Sequence, residues 1–135
     1  MKKVDILKKL RSSGLRPTKQ RVEIAKFLFE RDKTFHFTVE SLDKLLAKRT
    51  TSKFALATIY NTVHAFKKAG HLSEVEVRGK KTYFDTNITN HHHFYDSETC
   101  ELIDIDANDV VIQKIPKAPN GKKIKNVEVF INLKN

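Results

Sequence analysis

The sequence predicts an α+β protein, with an N-terminal winged-helix unit over residues 1–86 and a small α/β unit over residues 87–135. Three observations predict it. Apolar residues recur at helical spacing up to Gly70, strand-like alternation takes over after it, and the charge divides unevenly between the two parts. Residues 1–86 hold 20 Lys+Arg against 9 Asp+Glu, whereas residues 87–135 hold 6 against 7.

The elements follow in order. Val4 to Leu10 reads as a short amphipathic helix ended by Ser12, Ser13 and Gly14. Thr18 is placed to cap a second helix with Val22, Ala25, Leu28 and Phe29 inward. Phe35, His36 and Phe37 form a break, and Thr38 caps a third helix that buries Leu42, Leu45 and Leu46. A fourth helix runs from about Leu56 to Ala69, stops at Gly70, and buries Ile59, Val63 and Phe66 at i, i+4, i+7. Leu72 to Val77 and Thr82 to Asp85 then alternate around Arg78, Gly79 and Lys80, a hairpin with a basic tip. Helices followed by such a hairpin are the plan of a winged helix. In the second unit, His92 to Thr99 and Glu101 to Ile105 read as strands and Asn108 to Ile115 as a short helix. Pro116 to Gly121 reads as a loop, and Val127, Val129, Ile131 and Leu133 alternate as a final strand. So short a unit buries little surface alone, so it is expected to pair with a second copy as a dimerisation domain.

Composition narrows the function. The net charge is +10, concentrated in the first unit, and suits a polyanionic partner. No apolar run approaches the roughly 18 residues of a membrane span, and no signal peptide is recognisable, so a cytoplasmic protein without a membrane partner is expected. One cysteine excludes a disulfide framework and any Cys-paired structural zinc within one chain.

Two constellations carry chemistry. With Ile59, Val63 and Phe66 buried, the fourth helix presents Tyr60, Asn61, His64, Lys67 and Lys68 on its other face. An aromatic ring, an amide and cations on one helix face suit the major groove of double-stranded DNA. Arg16, Lys19, Arg78, Lys80 and Lys81 would hold the flanking phosphates. The second constellation is His91-His92-His93. On a strand, His91 and His93 share a face with roots about 6.7 Å apart, close enough to converge on one ion. Asp85 and Asp104 lie near in sequence, and such a mixed N/O set suits Fe(II), Mn(II) or Zn(II) without a thiolate.

Gly14-Leu15-Arg16-Pro17-Thr18, Leu56-Ala57-Thr58-Ile59-Tyr60-Asn61, Ala69-Gly70 and His91-His92-His93-Phe94 stand in the order and spacing of the ferric uptake regulator family, which the chain resembles over nearly its whole length. Tyr83-Phe84-Asp85-Thr86-Asn87, the triple histidine and Glu101-Leu102-Ile103-Asp104-Ile105 are most similar to its iron-response-regulator branch, Irr. The resemblance implies a homodimeric DNA-binding transcription regulator of iron homeostasis, not an enzyme, acting on an AT-rich palindromic operator. It implies a regulatory metal site of His36, Asp85, His91, His93 and Asp104, with ligands drawn from both domains. Metal would then set how two recognition helices are held about 34 Å apart for successive major grooves. The Irr likeness further implies haem as effector, bound at His91, His92 and His93, and a haem-supplying protein as partner. Family members that carry CxxC pairs would place the first near Asp96 and Thr99; both thiols are missing, so no structural zinc is expected. Asn90 and His92 also depart from the usual residues of a secondary metal site, Ala55 is a poor cap for the recognition helix, and Asn61 stands where an arginine is typical. Two alternatives stay open. One is a peroxide-sensing or Fe/Mn/Zn-responsive repressor of the same family; the other, ranked below it, is a small metalloenzyme or metal-storage protein.

Overall fold

The computed structural model describes residues 4–77, 79 and 81–135, so Arg78 and Lys80, expected at the hairpin tip, lie outside the described residues. The chain divides into two compact units, Met1–Ile88 and Thr89–Asn135. Helices and small sheets together give the α+β class expected. No helix among the described residues is long and apolar enough to cross a membrane.

In the first unit, capping side chains set where helices begin. The Asp5 carboxylate accepts the Lys8 N–H ahead of α1 (Ile6–Ser12), and the Thr18 hydroxyl accepts the Arg21 N–H ahead of α2 (Lys19–Phe29). Thr38 and Ser41 form a reciprocal capping box at α3 (Val39–Arg49). By contrast, α4 (Leu56–Lys68) starts at Ala55 with no side-chain cap, as the sequence implies. It ends at Gly70, whose φ of +86° turns the chain so that the His71 N–H donates to the Phe66 carbonyl at 2.9 Å. Ile59, Val63 and Phe66 are fully buried, joined by Thr62. The inner stripe of α2 differs from expectation. It centres on Ile24, Ala25 and Leu28, while Val22 and Phe29 pack at its margins.

The expected break before α3 is instead a strand, β1 (His36–Phe37). It pairs antiparallel with β3 (Thr82–Asp85), which pairs antiparallel with β2 (Ser73–Glu76), in the order β1-β3-β2. The reason is aromatic packing at a period of two. Phe35 stacks on Phe37 at 5.6 Å between ring centroids and Phe37 on Phe84 at 5.8 Å, which turns His36 to the opposite side.

His71 sits at the joint of this core. Its Nε2 lies 2.7 Å from the Ser13 hydroxyl, and its ring meets Phe29 and Phe66 edge-on. Burial, and then the nearby Lys9 ammonium, hold its pKa below the ordinary 6.5. A histidine kept neutral in the folded state costs nothing above the unfolded pKa, and opposes folding as pH falls below it. Stability of this unit is therefore expected to be level above about pH 6.5 and to decline below it. An NMR titration placing the His71 midpoint at or above 6.5 would contradict this.

The second unit is a three-stranded sheet in the order β5-β4-β6. β4 (His91–Asp96) runs antiparallel to β5 (Glu101–Asp106) and parallel to β6 (Phe130–Leu133). β4 stops at Asp96, three residues before the expected Thr99, because the Asp96 carboxylate accepts the Glu98 and Thr99 N–H groups and closes a turn. The helix expected over Asn108–Ile115 does not form. Only one 3-10 turn, Ala107–Asp109, follows Asp106, and the β-branched Val110-Val111-Ile112 run leads into a proline that disfavours helix before it. β6 also begins later than the expected Val127. Tyr95, Leu102 and Ile105 are buried with the three histidines, whereas Ile103, Val111, Ile112, Ile115, Ile124 and Ile131 remain exposed.

Candidate metal centre and nucleic-acid face

In the second unit, β4 and β5 register His93 opposite Asp104 and His91 opposite Asp106. The two histidines share a face, their ring centroids 4.5 Å apart. Both aim Nε2 at one carboxylate oxygen, Asp104 Oδ1, at 3.2 Å for His91 and 3.4 Å for His93. The other edge of the His91 ring has a backbone partner. His91 Nδ1 lies 2.6 Å from the Thr89 carbonyl, and since a carbonyl only accepts, Nδ1 carries the hydrogen. When neutral, the ring then points a lone pair at a carboxylate. That arrangement is repulsive until a proton or a cation stands between them, the chemistry expected of a divalent-metal ligand whose far nitrogen is held by a backbone carbonyl. Phe130 of β6 stacks on the His93 ring at 5.7 Å and fixes its orientation.

His92 faces the other way. Its Nδ1 accepts the Val129 N–H at 2.9 Å, so this side chain takes a backbone partner and holds the chain entering β6. That bond also explains the late start of β6.

The first unit carries a donor pair of its own. The register of β1 and β3 sets His36 opposite Asp85, and His36 Nε2 approaches Asp85 Oδ2 at 3.0 Å. The Asp85 carboxylate is fully buried, and its Oδ1 accepts the Asn87 N–H at 2.8 Å. Thus all five residues named as metal ligands are positioned by strand pairing, each within its own unit. Sequence reasoning missed the supports: Thr89, Asn87, Val129 and Phe130. The Asp-x-Asn pattern at Asp85–Asn87 was a legible signal for one of them.

The face of α4 is laid out by its buried stripe. Tyr60 is 53% exposed and Asn61 and Lys68 are exposed beside it. His64 is only half-exposed, its ring 4.2 Å from that of Tyr60 and edge-on to Phe84 of β3. It therefore supports Tyr60 one helical turn away as much as it faces outward. Lys67 bonds Glu74 of β2 at 2.8 Å, and that hydrogen bond with the Glu74 charge raises its pKa. Arg16 and Lys19 are exposed at the entrance to α2, where the Arg16 carbonyl accepts from the Thr18 N–H and the Arg21 side chain. Lys81 is exposed and only loosely near Glu40, at 3.9 Å.

The profile of the ferric uptake regulator family matches residues 12–133. The chain belongs to that family. Its members are transcription regulators, not enzymes. Among curated relatives, the peroxide-responsive repressor PerR of Staphylococcus epidermidis is 30% identical over 95 residues, covering 70% of this chain and 61% of the relative. The chain thus spans about three-fifths of that protein's length. Among solved folds, the ferric uptake regulator of Pseudomonas aeruginosa with manganese is 22% identical with a TM-score of 0.71, covering 98% of each chain. That of Vibrio cholerae is 20% identical with a TM-score of 0.73, covering 97% of this chain and 100% of its own. At these identities the solved members establish the fold of this family member.

Proposed function

We propose that this chain is a metal-responsive, dimeric, DNA-binding regulator of the ferric uptake regulator family, working in the cytoplasm. One observation carries the metal reading: two buried imidazoles whose Nε2 atoms both approach a single carboxylate oxygen. His91, His93 and Asp104 would offer ligands from the second unit, and His36 and Asp85 from the first. When bound, a divalent ion supplies the positive charge that these carboxylates and lone pairs face. Nitrogen and oxygen donors without thiolate suit Fe(II), Mn(II) or Zn(II). The exposed Ile103, Ile112, Ile115 and Ile131 support dimerisation through the second unit, since an isolated sheet with so thin a core leaves much apolar surface in water.

The winged-helix reading gives α4 the recognition role, with Tyr60 and Asn61 at base edges and Arg16, Lys19, His64, Lys67, Arg78 and Lys80 around the phosphates on an AT-rich palindromic operator. Tyr60→Ala is expected to cost about 1–3 kcal/mol of specific binding while leaving binding to random DNA nearly unchanged. Equal losses on both would remove Tyr60 from base reading. The direct test of the whole proposal is a gel shift on such an operator with apo, Mn(II)-loaded and haem-treated protein; retardation indifferent to all three treatments would refute a metal-responsive regulator.

Two finer readings concern the signal. The name of the staphylococcal relatives favours peroxide, and a gain of about 16 Da on His36 or His91 after Fe(II) and peroxide would establish it. The Irr likeness favours iron homeostasis under haem control, with His91, His92 and His93 as the haem motif and a haem-supplying protein as donor. All three imidazoles are buried, and His92 Nδ1 is bonded to the backbone, which suits a single ion better than a porphyrin. A haemin titration without a Soret shift would dismiss the haem role.

A further inference from the structure

We propose that the first unit holds a second effector site, a cleft that binds a small organic anion: a carboxylate or phosphate group carried on an apolar body. The cleft encloses about 440 Å³, within the range of small-molecule sites. Leu28 and Phe29 line it together with Lys9, Arg31 and Lys33, against one acid, Asp32. Apolar side chains beside a net positive set of charges are what an amphiphilic anion requires.

Arg31 makes this more than a charged surface. Its guanidinium lies 3.9 Å from the Phe35 ring centroid and 4.7 Å from that of Phe27, and its Nε donates to the Phe27 carbonyl at 3.0 Å. The fork is thereby fixed with its Nη donors left over, the preorganisation that makes arginine effective toward planar anions. No carboxylate among the described residues forms an ion pair with it. Burial, and then the like charge of Arg49, lower its pKa. The Lys9 ammonium, which also lines the cleft, sits 4.6 Å from the Phe29 centroid. Two cations held over aromatic rings, one of them uncompensated, are stabilised by an incoming anion.

The cleft also adjoins the metal-donor pair of this unit. Thr86 lines it, and is tied to Phe35 by two hydrogen bonds, from the Phe35 N–H to its hydroxyl at 2.9 Å and from its own N–H to the Phe35 carbonyl at 3.1 Å. The next rung of the same ladder is His36 opposite Asp85. An occupant that shifts the Phe35–Thr86 rung acts one residue away from both donors, so anion and metal should alter each other's affinity equally. This coupling rests on the metal reading above; the anion site does not.

The test uses the full chain and two probes, salicylate as the organic anion and inorganic phosphate as the bare one. In an NMR titration, salicylate is expected to shift the amides of residues 28–35 and 86 saturably, at least tenfold more tightly than phosphate. Arg31→Gln and Arg31→Lys should each weaken it at least tenfold, with the unit still folded by its dispersed spectrum, while the exposed Lys44→Gln should not. Non-saturating shifts spread over the basic surface, equal binding of phosphate, or indifference to both Arg31 variants would overturn the site. An unchanged Mn(II) titration in saturating salicylate would overturn the coupling, whereas a chain that binds salicylate but no Mn(II) would defeat the metal reading and leave the anion site standing.

Discussion

Asp104→Asn is expected to lower the affinity of the chain for Mn(II) by about 100-fold or more, since losing even an outer partner of a metal ligand costs about 10–100-fold. The substitution keeps the shape of the side chain and removes only its charge. It is therefore cleaner than His93→Ala, which would also strip Phe130 of the ring it stacks on and leave a hole where His93, 1% exposed, now sits. The argument is electrostatic. Asp104 Oδ1 is the one oxygen that both Nε2 atoms approach, so its charge organises the half-site. An amide there leaves both Nε2 atoms with a neutral neighbour and removes the carboxylate of this half-site. His64→Ala supplies the control, because His64 packs between Tyr60 and Phe84 in the other unit and has no share in the donor set. Competition against a fluorescent chelator reads both variants. Coincident curves for Asp104→Asn and His64→Ala would show that the β4–β5 face does not bind the ion.

How much of this was visible in the sequence depends on whether the determining contacts are local. Thr18 and Thr38 were legible as caps because capping involves partners three residues apart. The inner stripe of α4 was legible because one helix face repeats at a fixed period. His91 and His93 were legible as a pair because a strand sets alternate side chains on one face. What failed required a distant partner. β1 is two residues long and exists only because β3, more than 40 positions later, pairs with it and Phe84 continues its aromatic stack. The start of β6 is set by a bond from Val129 to His92, 37 residues away, which no alternation of Val127, Val129 and Ile131 could reveal. The helix expected after Asn108 is a different failure. There the period was matched by too few residues, and the β-branched run before Pro116 overruled it. Lys67 illustrates the same limit at the surface. Its position on the helix gives no sign of its ion pair with Glu74, which lies on a strand.

Phe66→Ala is expected to destabilise the first unit by about 3–5 kcal/mol, the range for emptying an aromatic site in a close-packed core. Phe66 is fully buried, tilted against Phe29 at 5.6 Å and edge-on to His71 at 6.4 Å. Its neighbours belong to α2 and to the turn after Gly70, so no single side chain can slide in to refill the space. The loss therefore falls on the seating of α4, the element that displays Tyr60 and Asn61. Because the chain has two units, a global melt is a poor readout, and amide exchange within α4 is the measurement that isolates this one. Exchange there should quicken in proportion to the lost stability, while amides of β4 and β5 keep their rates. The comparison with Tyr60→Ala separates folding from recognition. Tyr60 is half-exposed, so its removal should leave α4 exchange nearly unchanged and still weaken operator binding. Phe66→Ala should do the reverse at low temperature, binding normally in the folded fraction and losing DNA only as that fraction falls. If both variants lost protection and binding together, Tyr60 would be a packing residue, and the outer face of α4 would no longer be a reading surface.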